Sequence, residues 1–212
     1  STRVRSSAAS DVYKRQPYIY QGEELGMTNR KCRDFSEFRD IEIKNAYRDF
    51  VGGGILDEET MLKFVNAIGR DNARFPMHWD DSDNAGFTTG TPWISVNENY
   101  KKINAAAQVN DPDSVFSYYK KLIELRHQME IIVYGVYKSK AIEHPDVFAY
   151  TRTLGDEKLF VVCNFREQEM DFTLEDGFTG DEKVLISNYD DVVKTENGIY
   201  LRPYEAKVFY RK

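Results

Sequence analysis

The sequence predicts a chain of two parts, an α/β segment of helices and long loops followed by an all-β module of about 80 residues. Three observations carry this. Apolar residues recur at helical spacing over 36–50, 57–69 and 111–128. From 131 onward the apolar runs become short and are broken by turn signals such as "GDEK" at 155–158 and "ENG" at 196–198. Between the helical windows, 70–110 is rich in Gly, Asn, Asp, Thr and Pro and keeps no period. The boundary is expected near 129–131, and the β-module reads as an antiparallel sandwich.

Taken in order, residues 1–16, "STRVRSSAASDVYKRQ", are polar and basic without periodicity. They read as a foreign segment or a disordered arm. "PYIY" at 17–20 reads as one short buried strand, and "QGEELGM" after it as a strand-to-helix loop. The helix expected over 36–50 has two apolar stripes: Phe38, Ile41, Asn45 and Arg48 on one, Ile43, Ala46, Tyr47 and Phe50 on the other. "GGG" at 52–54 stops it. Asp57 is the N-cap of the next helix, Met61, Phe64, Val65 and Ile68 are its apolar stripe, and Gly69 is its C-cap. The loop 70–110 holds both tryptophans, so disorder is not expected there. Asp111-Pro112 opens a helix running to about Gln128, with Val115, Phe116, Tyr119, Leu122, Ile123 and Arg126 inward. The strand candidates are "IIVYGVY", "VFAYTRT", "KLFVVCNF", "MDFTL", "KVLIS" and "AKVFY". Tyr134, Phe148 and Tyr150 alternate within them and read as core, whereas His127 and His144 read as surface.

Composition excludes several classes. A net charge of −6 argues against nucleic acid, whose phosphates demand clustered Lys and Arg. No apolar run nears the roughly 20 residues of a membrane span. Cys32 and Cys163 match no metal spacing and read as unpaired thiols in a reducing compartment, so a cytoplasmic location is expected. The sequence points to no cofactor and no metal. Tyrosine and phenylalanine are abundant, 14 and 13 residues. An aromatic-rich acidic chain suits sugar binding, and core packing accounts for most of those rings equally well.

Three segments go beyond pattern: "PYIYQGEELGMTN", "GRDNARFPMHWDDSDNAGFTTGTPW" and "DPDSVFSYYKKLIELR". Together they resemble glycoside hydrolase family 13, the α-amylase family, in its branch of oligo-1,6-glucosidases and α-glucosidases. "RPYEAKVF" at 202–209 resembles the end of that family's C-terminal domain. The resemblance covers 17–212 in order. It implies a TIM (β/α)8 barrel with a trailing β-sandwich. A whole barrel needs about 250 residues, so the sequence is expected to be the C-terminal remnant of such an enzyme. "PYIY" would then be the eighth strand, 17–130 the last strand, loops and helices of the barrel, and 131–212 the sandwich.

The implied activity is hydrolysis of terminal α-glucosidic bonds, α-1,6 above all, in short oligosaccharides such as isomalto-oligosaccharides. Retention needs a nucleophilic carboxylate and a carboxylic acid about 5–5.5 Å apart. The family places these on earlier strands, so no catalytic residue is assigned here, and the adjacent Glu23 and Glu24 provide no such pair. The resemblance makes Arg74, in "GRDNAR", the arginine that holds the terminal glucose, and Glu42, in "RDIE", a glutamate of the neighbouring sugar site. Arg70 and Asp71 are expected to lock the loop, and Trp79 and Trp93 to pack it rather than stack on sugar. His78 and Phe75 stand where the family usually has glutamine and threonine, which leaves fine specificity open. A trehalose-6-phosphate hydrolase fragment and a noncatalytic carbohydrate-associated module are the alternatives.

Overall fold

The structure is a computed structural model and describes residues 17–212; the expected foreign or disordered arm, 1–16, lies outside the described residues. The chain forms two compact units, residues 20–117 and residues 118–212, the latter together with the stretch that ends at Ile19.

The first unit is built from short helices and long ordered loops. α1 (Ile41–Ala46) continues through a π-helical turn, Tyr47–Val51, and the glycines after it end the run. Its N-cap is Asp40, whose Oδ1 accepts from the Glu42 amide at 2.8 Å. The window 36–50 is therefore not one helix. A 3-10 turn, Phe35–Glu37, is capped at Asp34, and the chain is extended at Phe38 and Asp40 before α1 begins. The two expected stripes dissolve accordingly: Phe38 and Ile43 enter one core with Cys32, while Ile41 and Phe50 face solvent. α2 (Glu58–Ile68) starts at Asp57 and ends at Gly69 as expected. Only Met61 and Val65 of its stripe are buried; Phe64 and Ile68 are exposed.

Residues 17–20 are a correction. They pair with no strand among the described residues, and Tyr18, Ile19 and Tyr20 are exposed. A strand exists only through a hydrogen-bonded neighbour, which apolar sequence alone cannot supply.

The long loop is ordered by turns rather than by helices. Between Trp79 and Phe87 the chain passes through Asn84, Ala85 and Gly86, all left-handed at φ 55°, 59° and 65°. The Trp79 and Asp80 amides both donate to the Ala85 carbonyl, and Asn84 Nδ2 donates to the Thr88 and Gly90 carbonyls. A β-carbon on Gly86 would lie 2.6 Å from the Asp80 carboxylate, so only glycine fits. A short helix, α3 (Ala105–Gln108), follows, capped by Asn104.

α4 (Val115–Gln128) begins three residues later than Asp111-Pro112 suggests. The Ser114 hydroxyl, not Asp111, accepts the Ser117 amide. Leu125 rather than Ile123 turns inward, and Ile123 is exposed. "IIVY" is not a strand: it forms α5 (Glu130–Tyr134), which stops at Gly135, and Tyr134 is exposed rather than core. Strands then follow as β1 (Val136–Lys140), β2 (Val147–Leu154), β3 (Glu157–Asn164), β4 (Met170–Phe172), β5 (Lys183–Ser187), β6 (Val193–Thr195), β7 (Gly198–Leu201) and β8 (Ala206–Arg211). They make two antiparallel sheets, β1-β2-β3-β8-β5 and β4-β7-β6.

β3 explains the packing. Phe160 and Val162 join Phe172, Ile199 and Leu201 of the three-stranded sheet and Phe209 of β8 in one core. Leu159, on the opposite face, packs with Leu125, Ile131 and Ile132 of α4 and α5. Both faces of this strand are covered, so "KLFVVC" reads as a continuous apolar run instead of alternating. Tyr150 is buried and Phe148 packs against it, as expected. Behind β8, Glu205 is fully buried and pairs with Lys207 at 2.5 Å and Arg202 at 3.1 Å.

Phe160→Ala should cost about 3–5 kcal/mol of stability, read as a lower urea midpoint with unchanged slope. A loss under 1 kcal/mol would contradict the shared core.

Candidate sugar-binding site

One carboxylate organises the first unit. Asp40 keeps only 3% of its side chain exposed. Its Oδ2 accepts from Arg74 Nη1 at 2.8 Å and lies 3.4 Å from Arg70 Nε. Asp71, equally buried, sits beside it. Asp71 Oδ2 accepts from the backbone amides of Arg39 at 2.6 Å and Asp40 at 3.0 Å, while its Oδ1 accepts from Arg74 at 3.0 Å. Arg70 then reaches outward, and its Nη1 meets Glu42 Oε1 at 2.6 Å.

The two residues singled out from the sequence are thus brought into one network. Arg74 touches Asp40 directly, and Glu42 reaches the same carboxylate through Arg70. Arg74 retains 34% of its side-chain surface and Glu42 67%, so both are offered to solvent while their anchors are not. Asp71 locks the loop as expected, through the amides of Arg39 and Asp40. Arg70 is half-exposed and ties the turn to both Asp40 and Glu42. Tyr20 also braces the turn, its hydroxyl donating to the Ala73 carbonyl at 2.6 Å.

The electrostatics follow from these contacts. The Glu42 amide, with the Arg74 and Arg70 guanidiniums working against the cost of burial, holds the Asp40 carboxyl below the ordinary carboxylate range. Asp40 and then Asp71 push the Arg74 guanidinium further up, and Glu42 does the same for Arg70. Asp40 is therefore a fixed anion, and the carboxylate oxygens of Asp40 and Asp71 are both engaged by donors. They suit the orientation of a cation, not proton transfer.

Neighbouring residues sort differently from the sequence reading. His78 is wholly buried. Its Nδ1 lies 2.8 Å from the Ile103 carbonyl, and its ring meets Tyr100 edge-on. Burial holds its pKa below the ordinary histidine value, so it is a packing residue of the loop. Phe75 is buried. Trp79 and Trp93 are both more than half exposed among the described residues. Glu23 accepts from the Tyr20 amide. His127 and His144 are exposed, and the two cysteines are buried in separate cores. Among the described residues no cluster of His, Cys, Asp and Glu could hold a metal ion, and no helix is long and apolar enough to cross a membrane.

An arginine held by two buried carboxylates, with an exposed glutamate on the same network, is what the first unit offers to solvent. Residues 7–135 match the alpha amylase catalytic domain, and 147–208 match the alpha-amylase SusG C-terminal domain. The chain belongs to the α-amylase family, glycoside hydrolase family 13. It is 52% identical over 195 residues to the oligo-1,6-glucosidase of Parageobacillus thermoglucosidasius, a match covering 91% of this chain and 35% of that protein. It is 46% identical to the trehalose-6-phosphate hydrolase of Bacillus subtilis over 98% of this chain and 38% of that protein. A crystal structure of trehalose-6-phosphate hydrolase from Bacillus licheniformis superposes with a TM-score of 0.91 at 42% identity, over 99% of this chain and 38% of that one. Isomaltulose synthase from Erwinia rhapontici superposes at 0.89 with 40% identity, over 99% of this chain and 38% of that one. The chain spans little more than a third of the length of these family members.

Asp40 was legible in part, since "D-I-E" is an N-cap followed by a first-turn acid. Its hold on two arginines 30 and 34 residues away left no local signal.

Asp40→Ala should cost about 2–3 kcal/mol, less than breaking a fully buried pair because both guanidiniums reach solvent. Because the folded Asp40 pKa is lowered, its contribution is complete above the unfolded value of about 3.9 and is lost as pH falls through the folded value. Denaturation at pH 6 and pH 3 should show that acid loss in the natural chain and a smaller one in Asp40→Asn. His78 adds a second window. Its depressed pKa means that stability falls as pH drops below about 6.5, where the unfolded imidazole takes a proton first. His78→Gln should flatten stability between pH 7 and 5; an unchanged slope would clear His78 of that role.

Proposed function

We propose that residues 17–212 are the C-terminal part of a retaining α-glucosidase that hydrolyses terminal α-glucosidic bonds, chiefly α-1,6, in short oligosaccharides. In this reading "PYIY" leads from the last barrel strand, residues 17–130 finish the catalytic face, and 131–212 form a β-sandwich. Arg74 holds the terminal glucose and Glu42 contacts the next sugar. The protein works in the cytoplasm on a small-molecule substrate.

The observation that carries the reading is the outward presentation of Arg74 by Asp40 and Asp71. A guanidinium held through Nη1 by two carboxylates offers its remaining N–H groups to vicinal hydroxyls with less rotamer freedom to lose on binding. Glu42, steadied by Arg70, supplies acceptors on the same network. The reaction itself needs a carboxylate and a carboxylic acid facing each other across the bond. The buried acids of this unit are both committed to guanidiniums, and Glu23 and Glu24 are chain neighbours, so the chain supplies grip and orientation rather than the reacting acids. The high similarity to trehalose-6-phosphate hydrolases supports a second reading, a fragment of an enzyme for a phosphorylated disaccharide.

The purified 212-residue chain should show no turnover of p-nitrophenyl α-glucoside or isomaltose; measurable hydrolysis abolished by no change at Arg74 or Glu42 would refute the division of labour. Joined to the upstream part of an oligo-1,6-glucosidase, Arg74→Ala should lower kcat/KM by about 10–100-fold. Equal kinetics would remove Arg74 from the site. Preference of that chimera for trehalose-6-phosphate over isomaltose would favour the second reading.

A further inference from the structure

The turn signal "ENG" at 196–198 carries a chemistry that the sugar-binding reading does not use. Glu196 and Asn197 are the whole loop between β6 and β7, because the ladder runs on to the pair Thr195–Gly198. Both loop residues are exposed. Asn197-Gly198 is the single Asn-Gly step in the chain, and asparagine is among the residues that heat degrades first.

The glycine is imposed by packing. β7 is the middle strand of its sheet, between β4 and β6. A β-carbon on Gly198 would lie 2.1 Å from the Phe172 carbonyl oxygen and 2.9 Å from Thr173 Cα, backbone atoms that cannot step aside. The fold therefore keeps an unhindered amide nitrogen directly after an exposed asparagine. Two other asparagines of this unit are placed differently. Asn164 Nδ2 donates to the Gln168 and Arg202 carbonyls, and its Oδ1 accepts from the Arg166 amide. Asn188 donates to the Tyr204 carbonyl and accepts from the Ala206 amide. Both carboxamides are committed, and each is followed by an aromatic residue that shields the next nitrogen.

We infer that Asn197 is a site of spontaneous modification, where the carboxamide becomes a mixture of aspartate and isoaspartate. The Gly198 nitrogen gives its proton to solvent base and attacks Asn197 Cγ. A C–N bond forms, the Cγ–Nδ2 bond breaks, and Nδ2 leaves as ammonia. Water then opens the five-membered imide. Attack at Cγ restores the normal main chain with an aspartate; attack at the main-chain carbonyl carbon leaves the chain running through Cγ. One water is consumed and one ammonia released, and nothing is oxidised or reduced. Ring closure requires Gly198 to leave its pairing with Thr195, which is the last pair of the ladder, where fraying costs least.

The products matter to the fold. Each adds one negative charge to the net −6. The iso form also inserts a main-chain carbon into a two-residue loop, and loop length sets hairpin register. Ile199 and Leu201 follow directly and are buried in the core shared with Phe160 and Phe209. The sheet β4-β7-β6 therefore weakens as the chain ages.

The full chain should be aged in mildly alkaline buffer made with heavy-oxygen water and followed by peptide mapping with fragmentation that separates aspartate from isoaspartate. Conversion should come first at Asn197, with one heavy oxygen per converted residue, while Asn164 and Asn188 stay intact. Asn197→Gln, whose longer side chain would have to close a six-membered ring, should remove it. The urea midpoint of the aged chain should fall in step with its isoaspartate content. Fresh Asn197→Asp, which has the charge without the extra carbon, should keep the natural midpoint. Asn197 intact in the folded chain while a peptide of residues 192–203 converts, or equal conversion at Asn164 and Asn188, would overturn the inference. An unmoved midpoint in the converted chain would overturn the weakening of the sheet.

Discussion

A carboxylate shut away from water and given three donors determines the character of the first unit. Asp40 caps α1 with one oxygen and collects two guanidiniums with the other. Each of those tasks is ordinary alone. Joined in one side chain, they make the start of a helix, the turn after α2 and the exposed face between them parts of one electrostatic object. A buried anion left without its cations is costly, so the arginines are not free to wander, and their unused N–H groups are aimed before any ligand arrives. Asp71 repeats the logic on the backbone side, holding two successive amides and the same arginine.

The fold was legible where local chemistry settles it. Asp57 and Gly69 bracket α2 because caps are short-range devices, and the strands β2, β3, β5 and β8 lie where short β-branched and aromatic runs sit between turns. It was illegible where a distant partner decides. "PYIY" has the composition of a strand but no neighbour among the described residues. "IIVY" has it too, yet forms a helical turn whose Ile131 packs on the far face of β3. The window 36–50 has helical spacing throughout, but Phe38 is drawn into the core by an extended stretch that Asp40 then terminates.

The site was legible in its members and not in its wiring. "GRDNAR" and "RDIE" single out Arg74 and Glu42 through resemblance, and the type of each residue suits hydroxyl binding. That the two meet through Asp40 and Arg70 is a matter of three-dimensional closure across about 30 residues, which no spacing rule reports. Tryptophan size argues for burial, yet Trp79 and Trp93 are both more than half exposed among the described residues.

The doubly covered strand β3 has a consequence for biogenesis. "LFVVC" is five uncharged, strand-forming residues in a row, the composition that self-associates when bare. Its shield on one face, α4 and α5, is encoded some thirty residues earlier, and helices form from local contacts alone. A ribosome releases the lid before the surface that needs it, so the sticky segment emerges onto a waiting partner. Translated in the opposite order, as in a circular permutant opening at β1, the same residues would reach solvent unprotected and precipitation would compete with folding.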